Sequence, residues 1–251
     1  MAKITRFHYD ARTSGVSGRF TLPFRAIVPR QAVLQLPKKG GFVHQLVERF
    51  NFRDILMFDR AVAYAAGSFS RKDDAFDATA SVILEGVNIL NVVTAGRIVA
   101  RIASSHPANG DQPKITPIGC AFENLRIAGH DVKVNLAVDT LVRCGTWKEF
   151  RAECERAPDS GAASLLHEEA RRALGEPVIR GTLVRSIEGL GPEIERLGVN
   201  AIRIPDFGVL RFAEVTIAER RRTVTMLRFE LGSTPAGAGD MGGVEGNGSG
   251  N

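Results

Sequence analysis

The stretch FDATASVILEGVNILNVVTAGRIVARIA, residues 76–103, is the longest apolar and β-branched run in the chain. Over residues 78–84, apolar side chains recur at every second position, which is the period of a β-strand. The alternation returns over residues 98–102, with two isoleucines and an alanine on one face and arginines on the other. The run therefore predicts two interior strands around which the rest of the chain is organised.

Two glycines interrupt this run. Glu85-Gly86 breaks the first alternation, and a glycine inside a strand pattern marks a bulge, a bend or a turn. A helix over residues 87–102 stays open as an alternative, because Leu90, Val93 and Arg97 recur at helical spacing. The β-branched residues and the glycines at both ends of that segment favour strands.

Most other segments of the chain also alternate. The pattern predicts a mainly β protein with antiparallel sheets, arranged as a sandwich or a barrel, and a single domain over residues 1–231. Residues 42–52 alternate strongly, but neither face is cleanly apolar, which is typical of a strand at a sheet edge or an interface. Two runs at 207–217 and 223–231 predict an antiparallel hairpin with an arginine-rich tip.

A helical hairpin is predicted at residues 145–175. Thr146-Trp147-Lys148-Glu149 has the form of a capping box, in which the Thr hydroxyl accepts from an exposed amide and the Glu reaches back. A second helix is expected over residues 165–174, with Ser164 as its cap and Gly175 as its end. Trp147, Phe150 and Leu166 are expected to pack this insertion onto a sheet.

The C-terminal segment, residues 232–251, has the sequence GSTPAGAGDMGGVEGNGSGN. Eight of its twenty residues are glycine, and few side chains are large enough to pack. Such a composition is typical of a flexible linker or tail, because ordering it costs more than its own side chains recover. We therefore predict a flexible, disordered tail.

Composition narrows the class of protein. The chain has 251 residues and a net charge of +5, and polar or glycine residues interrupt every apolar stretch of membrane-spanning length. Neither an apolar leader nor an even number of cysteines is present, so we expect a cytoplasmic protein with reduced thiols. Export by a route without a signal peptide stays open. The arginines are spread along the chain, with local groups at residues 171–172 and 220–222, and this predicts no tight binding of nucleic acid.

The search for catalytic motifs assigns no catalytic, cofactor-binding or metal-ligating residue. The sequence has no phosphate-binding loop, no HExxH and no GxSxG, and its five histidines show no metal-ligand spacing. His130-Asp131 falls in a predicted turn, where both residue types are favoured for conformational reasons. Cys144 and Cys154 are interpreted as small buried hydrophobes, and Glu85 as a carboxylate that points to solvent.

Three segments carry a resemblance to a known family. They are EGVNILNVVTAGRIVARI at 85–102, GCAFENLRIAGHDV at 119–132, and TMLRFELG at 225–232 with EGNG at 245–248. Together they resemble an uncharacterised bacterial protein family, and the first two are similar, more faintly, to β-rich choice-of-anchor surface domains. The resemblance implies a β-rich fold and no functional residues. The anchored proteins have signal peptides, and none is visible in this sequence.

Several predicted strands have two mixed faces, and the sequence shows no catalytic motif. Together these observations favour a non-enzymatic binding or structural protein that forms a homo-oligomer. Binding of a small ligand or lipid inside the β body is a variant of this hypothesis. An enzyme whose site forms from residues distant in sequence is an alternative, and a weak nucleic-acid binder is another. The sequence implies no cofactor and leaves the protein or small-molecule partner open.

Overall fold

The computed structural model describes residues 7–21, 25–157, 162–166, 178–232 and 237–250. Within these residues the chain forms antiparallel sheets with a small helical insertion, so the prediction of a mainly β protein is confirmed. In chain order the elements are β1 Phe7–Phe20, β2 Ala26–Gln31, β3 Leu34–Gln35, β4 Gly41–Phe52, β5 Leu56–Ser70, β6 Ala75–Ile89, β7 Val93–Pro107, β8 Lys114–Pro117, β9 Ala121–Ile127, β10 His130–Asp131, β11 Lys133–Leu136, α1 Val138–Arg143, α2 Trp147–Arg156, the 3-10 helix η1 Ala163–Leu165, β12 Val178–Thr182, β13 Val184–Glu188, β14 Glu195–Arg196, β15 Ala201–Ile204, β16 Gly208–Ala218, β17 Arg221–Leu231 and β18 Gly237–Gly250.

Two large sheets carry the fold. In the described residues, sheet A has nine strands in the order β14-β15-β16-β17-β18-β1-β2, with β12 paired to β16 and β3 paired to β1. Sheet B has seven strands in the order β10-β9-β7-β6-β5-β4, with β8 paired to β7. A separate two-stranded sheet joins β11 to β13. The predicted hairpin is confirmed as β16 and β17.

Sheets A and B pack face to face across one hydrophobic core. Strands β1, β17 and β18 of sheet A lie over β5 to β8 of sheet B. Phe122 of sheet B meets Phe212 of sheet A edge to face, with ring centroids 5.7 Å apart. The inward-facing residues Val82, Leu84 and Ile98 are fully buried, as their alternation predicted. Burial of these apolar side chains from both sheets is the main stabilising contribution to the sandwich.

The run at 76–103 forms the β6–β7 hairpin, in agreement with the strand interpretation. The position of the break differs from the expectation, because β6 continues through Gly86 to Ile89 and the chain reverses at Leu90-Asn91. These two residues have φ of +52° and +55°, the left-handed conformation that a tight hairpin turn requires. Leucine at position 90 carries no turn signal in the sequence, so this turn was not predicted.

Each large sheet is crossed by a line of residues at which the side-chain alternation reverses, here called the crease. In β6, Val82 and Leu84 point inward before it, and Val87 and Ile89 after it. On every second strand along each crease, the crease residue has positive φ. This conformation reverses which side chains face the core, and the pairing register between the strands does not change. The crease of sheet B comprises Arg49, Asp59, Gly86, Gly96 and Asn124, and that of sheet A comprises Ala32, Gly15, Gly242, Met226 and Ala213.

The helical insertion differs in part from the prediction. The capping box is confirmed, since Thr146 Oγ1 accepts from the Glu149 amide at 3.1 Å and Glu149 accepts from the Thr146 amide at 2.9 Å. Helix α1, which precedes it, was not predicted from the sequence. Ser164 lies inside the short 3-10 helix η1, Ala163–Leu165. The remainder of the predicted second helix, 167–174, lies outside the described residues.

The prediction of a flexible C-terminal tail is wrong for residues 237–250. These residues form β18, which pairs with β1 on one side and with β17 on the other. Both edges of the strand therefore form ladder hydrogen bonds, and these stabilise a segment that buries little side-chain area of its own. Residues 233–236 and 251 lie outside the described residues.

Candidate functional site

The pair His130-Asp131 forms β10 at one edge of sheet B. His130 Nε2 lies 3.2 Å from Glu193 Oε1, and Asp131 Oδ1 lies 3.1 Å from Arg126 Nε. The two side chains therefore engage different partners on the surface. The imidazole of His130 thus contacts the Glu193 carboxylate, and the neighbouring Asp131 carboxylate pairs with an arginine.

None of the three cysteines forms a disulfide, and all are buried. Cys144 follows the last residue of α1, Cys154 lies in the last turns of α2, and Cys120 precedes β9. Burial raises the pKa of the Cys120 and Cys144 thiols, which keeps them protonated near neutral pH. A protonated, buried thiol is a poor nucleophile, so these residues act as small core side chains.

Glu85 belongs to a ladder of alternating charge on the outer face of sheet B. Its carboxylate lies 3.8 Å from Arg60, and at the far side of the ladder Arg97 lies 3.4 Å from Glu123. The five positions are directly opposite one another on successive strands, in the order Glu48, Arg60, Glu85, Arg97 and Glu123. Glu85 therefore pairs with cations on a solvent-facing surface, as the sequence interpretation held.

Arg222 is the largest side chain that is fully buried, although the sequence places it in a hairpin tip. Its guanidinium donates to the carbonyl oxygens of Cys144 at 2.7 Å and Thr146 at 3.3 Å, and to that of Leu141 at 3.5 Å. Desolvation lowers the pKa of Arg222 to about 10, so it stays charged at neutral pH. Arg222 thus holds the end of α1 and the start of α2 against sheet A.

His106 lies near the end of β7 and faces the core. Burial lowers its pKa to about 4, and the nearby charge of Arg220 adds to this effect. Its ring lies 5.1 Å from that of Phe7, and among the described residues neither His106 Nε2 nor Ser104 Oγ has a hydrogen-bond partner. His106 therefore contributes a neutral, buried imidazole to the aromatic cluster that contains Phe7.

Strand β4 is the exposed edge of sheet B, as the mixed faces of residues 42–52 predicted. It is twelve residues long and contains neither proline nor lysine. Phe42 is 63% exposed and Leu46 is 50% exposed. Unpaired N–H and C=O groups along such an edge form a template on which another strand can pair.

The other sheet edges in the described residues are protected by contrast. Sheet A ends at β2, which has six residues including Pro29, and at β14, which has two. The far edge of sheet B is β10, also of two residues. Short strands and proline are the usual means by which proteins prevent edge-to-edge pairing. Among these edges, only β4 is long and without proline.

The outer face of sheet B next to β4 is partly apolar. An aliphatic row runs across five strands through directly opposed residues, in the order Leu46, Val62, Ile83, Val99 and Ala121. One side of this row is bounded by the charge ladder. The other is bounded by an aromatic group in which the Phe42 ring lies 5.7 Å from His44 and 6.5 Å from Tyr64. We call β4 together with this row and aromatic group the β4 surface.

A cleft lies on the outer face of sheet A. It is an open cleft of about 560 Å³ between β17, β18, β1 and the β2–β3 segment. Hydroxyl side chains line its floor, and charged side chains lie among them. The lining includes Ser14, Ser17, Thr223, Thr225, Arg12, Arg30, Asp240 and Glu245. Residues from both ends of the chain therefore meet in this cleft.

In the part of the chain that the structure describes, no group of three or more His, Cys, Asp or Glu side chains is arranged to hold a metal ion. No helix in that part is long and apolar enough to cross a membrane. The longest helix described, α2, has ten residues, whereas a spanning helix needs about 20.

A family model matches residues 7–173, which is 167 of the 251 residues. The chain belongs to the DUF8256 family, a domain of unknown function. No curated protein and no solved structure matches the chain. The resemblance to an uncharacterised family is thereby confirmed, and family membership brings no functional residues.

The DUF8256 match contains the whole of sheet B, from β4 to β10, and the first three strands of sheet A. The segments 85–102 and 119–132, on which the resemblance was based, lie inside it, whereas 225–232 lies outside. The β4 surface is therefore a feature of the part that defines the family. The cleft combines residues from inside and outside the matched part.

Proposed function

We propose that this DUF8256 protein is a non-enzymatic binding or structural protein that self-associates through the β4 surface. The observation that supports this most directly is the long, unprotected edge of β4. It stands beside exposed apolar and aromatic side chains, whereas the other sheet edges in the described residues are short or contain proline.

Pairing of edge strands supplies both components of an interface. The open backbone groups of β4 exchange water for interchain hydrogen bonds, each worth about 1 kcal/mol net. Removal of Phe42 and Leu46 from water adds a hydrophobic contribution, and aromatic residues are enriched at the cores of protein interfaces. A second copy of the same edge satisfies these groups without any further partner.

The proposal is tested by mass photometry and sedimentation over a dilution series. Leu46→Lys places a charge at the centre of β4 and should weaken self-association by tenfold or more, about 1.4 kcal/mol. Ile27→Lys is the matched control, because Ile27 is 70% exposed on β2, the edge strand of the other sheet. This control should leave the assembly unchanged.

A wild-type protein that stays monomeric at concentrations up to about 100 μM would overturn the proposal, since that range covers weak but specific dimers. Equal weakening by Leu46→Lys and Ile27→Lys would show that the effect is non-specific. Circular dichroism of both variants would confirm that each remains folded.

A second candidate function is the binding of a small polar ligand in the cleft of sheet A. It is favoured by the convergence of hydroxyl, guanidinium and carboxylate groups from residues distant in sequence. Isothermal titration with a panel of sugars and amino acids would test it, and Thr225→Val should abolish any binding found. Absence of binding across the panel would count against this function.

We also propose that the protein forms no tight complex with nucleic acid. Among the described residues, twelve arginines form ion pairs with carboxylates, which leaves little concentrated positive field for phosphates. They are Arg12, Arg60, Arg97, Arg126, Arg143, Arg151, Arg156, Arg185, Arg203, Arg211, Arg221 and Arg228. A nanomolar DNA or RNA complex at physiological salt would contradict this.

A cytoplasmic location remains our proposal for the compartment. It is supported by three buried cysteines, none of which forms a disulfide, and this suits a reducing environment. Fractionation of cells that express a tagged chain would test it, and recovery of the protein outside the cell would refute it.

A further inference from the structure

We propose that two copies of the chain pair antiparallel through β4 about a two-fold axis at Leu46, so that sheet B continues from one copy into the other. This inference rests on the proposed self-association and specifies its register. It is derived from the backbone of an antiparallel pair and from the charges along β4.

Backbone geometry limits where the axis can lie. In an antiparallel pair, two residues directly opposite each other either both exchange hydrogen bonds across the pair or both point their polar groups away. Successive residues of one strand alternate between these two states. A two-fold axis must therefore pass through a residue that lies opposite itself, and it cannot pass between two residues.

The sequence of β4 then separates the permitted registers. An axis at His44 or at Glu48 places that residue opposite its own copy, which opposes like groups in the pair. An axis at Gln45 sets His44 against Leu46, and an axis at Val47 sets Glu48 against Leu46, so each of these opposes a polar group to an apolar one. Only the axis at Leu46 sets His44 opposite Glu48, on both sides of a central leucine pair.

The charge ladder of sheet B has an open end that this register closes. Glu48 is the first position of the ladder and lies on the exposed edge strand, and no ion pair joins it to another described residue. In the proposed pair, His44 of the partner subunit lies directly opposite Glu48 on the same outer face. An imidazole donor beside a carboxylate acceptor adds a hydrogen bond at each end of the interface.

The aliphatic row also becomes continuous across the axis. Leu46 is its exposed end, and in the pair it meets the same residue of the second copy. The row then extends over five strands on each side of the axis. Arg49, at the crease, has a φ of +53°, and beyond it the side-chain faces of β4 reverse, so the interface is centred on residues 44–48.

Cysteine cross-linking tests the register directly. Opposed residues in an antiparallel pair have Cα atoms about 4.5–5.5 Å apart, within the range that a disulfide spans. Leu46→Cys should therefore form a covalent dimer under mild oxidation. Phe42→Cys is the matched control, because Phe42 is exposed on the same face, yet its two copies would lie about 27 Å apart at the usual rise per residue.

The three native cysteines are buried, so the wild-type chain gives the baseline for this measurement. Cross-linking through Phe42→Cys, with none through Leu46→Cys, would overturn the register while leaving self-association in place. A wild-type monomer in the dilution series would overturn self-association itself. The two failures are therefore distinguishable.

A charge exchange provides a second test that is independent of oxidation. Glu48→Lys should weaken the dimer about tenfold, because it opposes two basic groups in the proposed register. The double variant His44→Glu with Glu48→Lys restores opposite charge and should recover most of the affinity. Glu123→Lys changes the far end of the same ladder and should leave dimerisation unchanged. No recovery in the double variant would contradict the His44–Glu48 pairing.

Discussion

The β6–β7 hairpin and strand β18 each lie in the middle of a large sheet, yet their sequences share almost nothing. The hairpin is built from aliphatic residues that fill the core, such as Val82 and Ile98. In β18, seven of fourteen residues are glycine. A central strand therefore does not have to supply its own share of the core.

The space beside the glycines of β18 is filled by side chains of neighbouring strands. A Cβ added at Gly239 would lie 2.5 Å from Phe229 Cζ, so the Phe229 ring occupies the room that a side chain would take. At Gly246, the same addition would lie 3.4 Å from both Ile102 and Ile115 of sheet B. The glycines thus let the opposing side chains pack directly against the backbone, as close packing of interiors requires.

Among the changes that test this comparison, removal of β18 should destabilise the protein most. Deletion of residues 237–251 would remove the partner from one edge of β1 and one edge of β17 and expose the core between the sheets. We expect insoluble or unfolded protein, because the loss is comparable to the whole stability of a domain, about 5–15 kcal/mol. Soluble yield and circular dichroism would measure it, and a truncated chain that melts cooperatively would contradict the central role of β18.

A buried charge in the hairpin should be nearly as damaging. Val82→Asp places an unpaired carboxylate in a fully buried position and should cost several kcal/mol, with loss of soluble protein. The control Arg97→Gln changes a partly exposed residue of the outer face and should stay within about 0.5 kcal/mol of wild type. A folded Val82→Asp would refute the interior position of β6.

The glycines of β18 can be tested one at a time. Gly239→Ala forces the new methyl group against Phe229 and should destabilise the fold by about 1–3 kcal/mol, the usual cost of overpacking. Gly243→Ala is the control on the same strand, because its added Cβ would lie at ordinary distances of 3.4 Å or more. Urea unfolding would measure both, and a Gly239→Ala variant as stable as the Gly243→Ala variant would contradict the close approach of Phe229 to Gly239.

The smallest effect is expected at the turn of the hairpin. Leu90 is 41% exposed and has positive φ, so Leu90→Asn should be neutral or stabilise by up to about 1 kcal/mol. Leu90→Val should destabilise instead, because a β-branched residue fits this conformation poorly. Thermal melting would compare the two variants. A more stable valine variant would contradict the left-handed conformation of the turn.

The creases explain where the sequence pattern predicted the buried face of a strand correctly and where it did not. Period-two reasoning is correct between creases, and it placed Ile98, Ala100 and Ile102 in the core. It fails across a crease, where two successive residues such as Met226 and Leu227 are both buried. The reversal depends on pairing with neighbouring strands, so a single strand gives little sign of it beyond an occasional glycine.

The candidate site was predictable only in outline. Residues 42–52 have two mixed faces, and this local pattern correctly indicated an edge strand. That β4 is the long edge without proline or lysine, and that its Leu46 continues an aliphatic row over four further strands, depends on strand order. Strand order is set by contacts between distant segments, which the sequence pattern does not contain.

The sequence by itself determined the local structure of this protein: the strand period of the central run, the capping box at Thr146, and the mixed faces of β4. These features depend on residues within a few positions of one another, so their physical causes are contained in short segments. The tertiary structure alone decided that Arg222 is buried beneath the helices and that β18 lies between β1 and β17. Carbonyl groups from distant residues stabilise Arg222, and the backbones of β1 and β17 stabilise the glycine-rich β18. Neither set of partners can be inferred from the local composition.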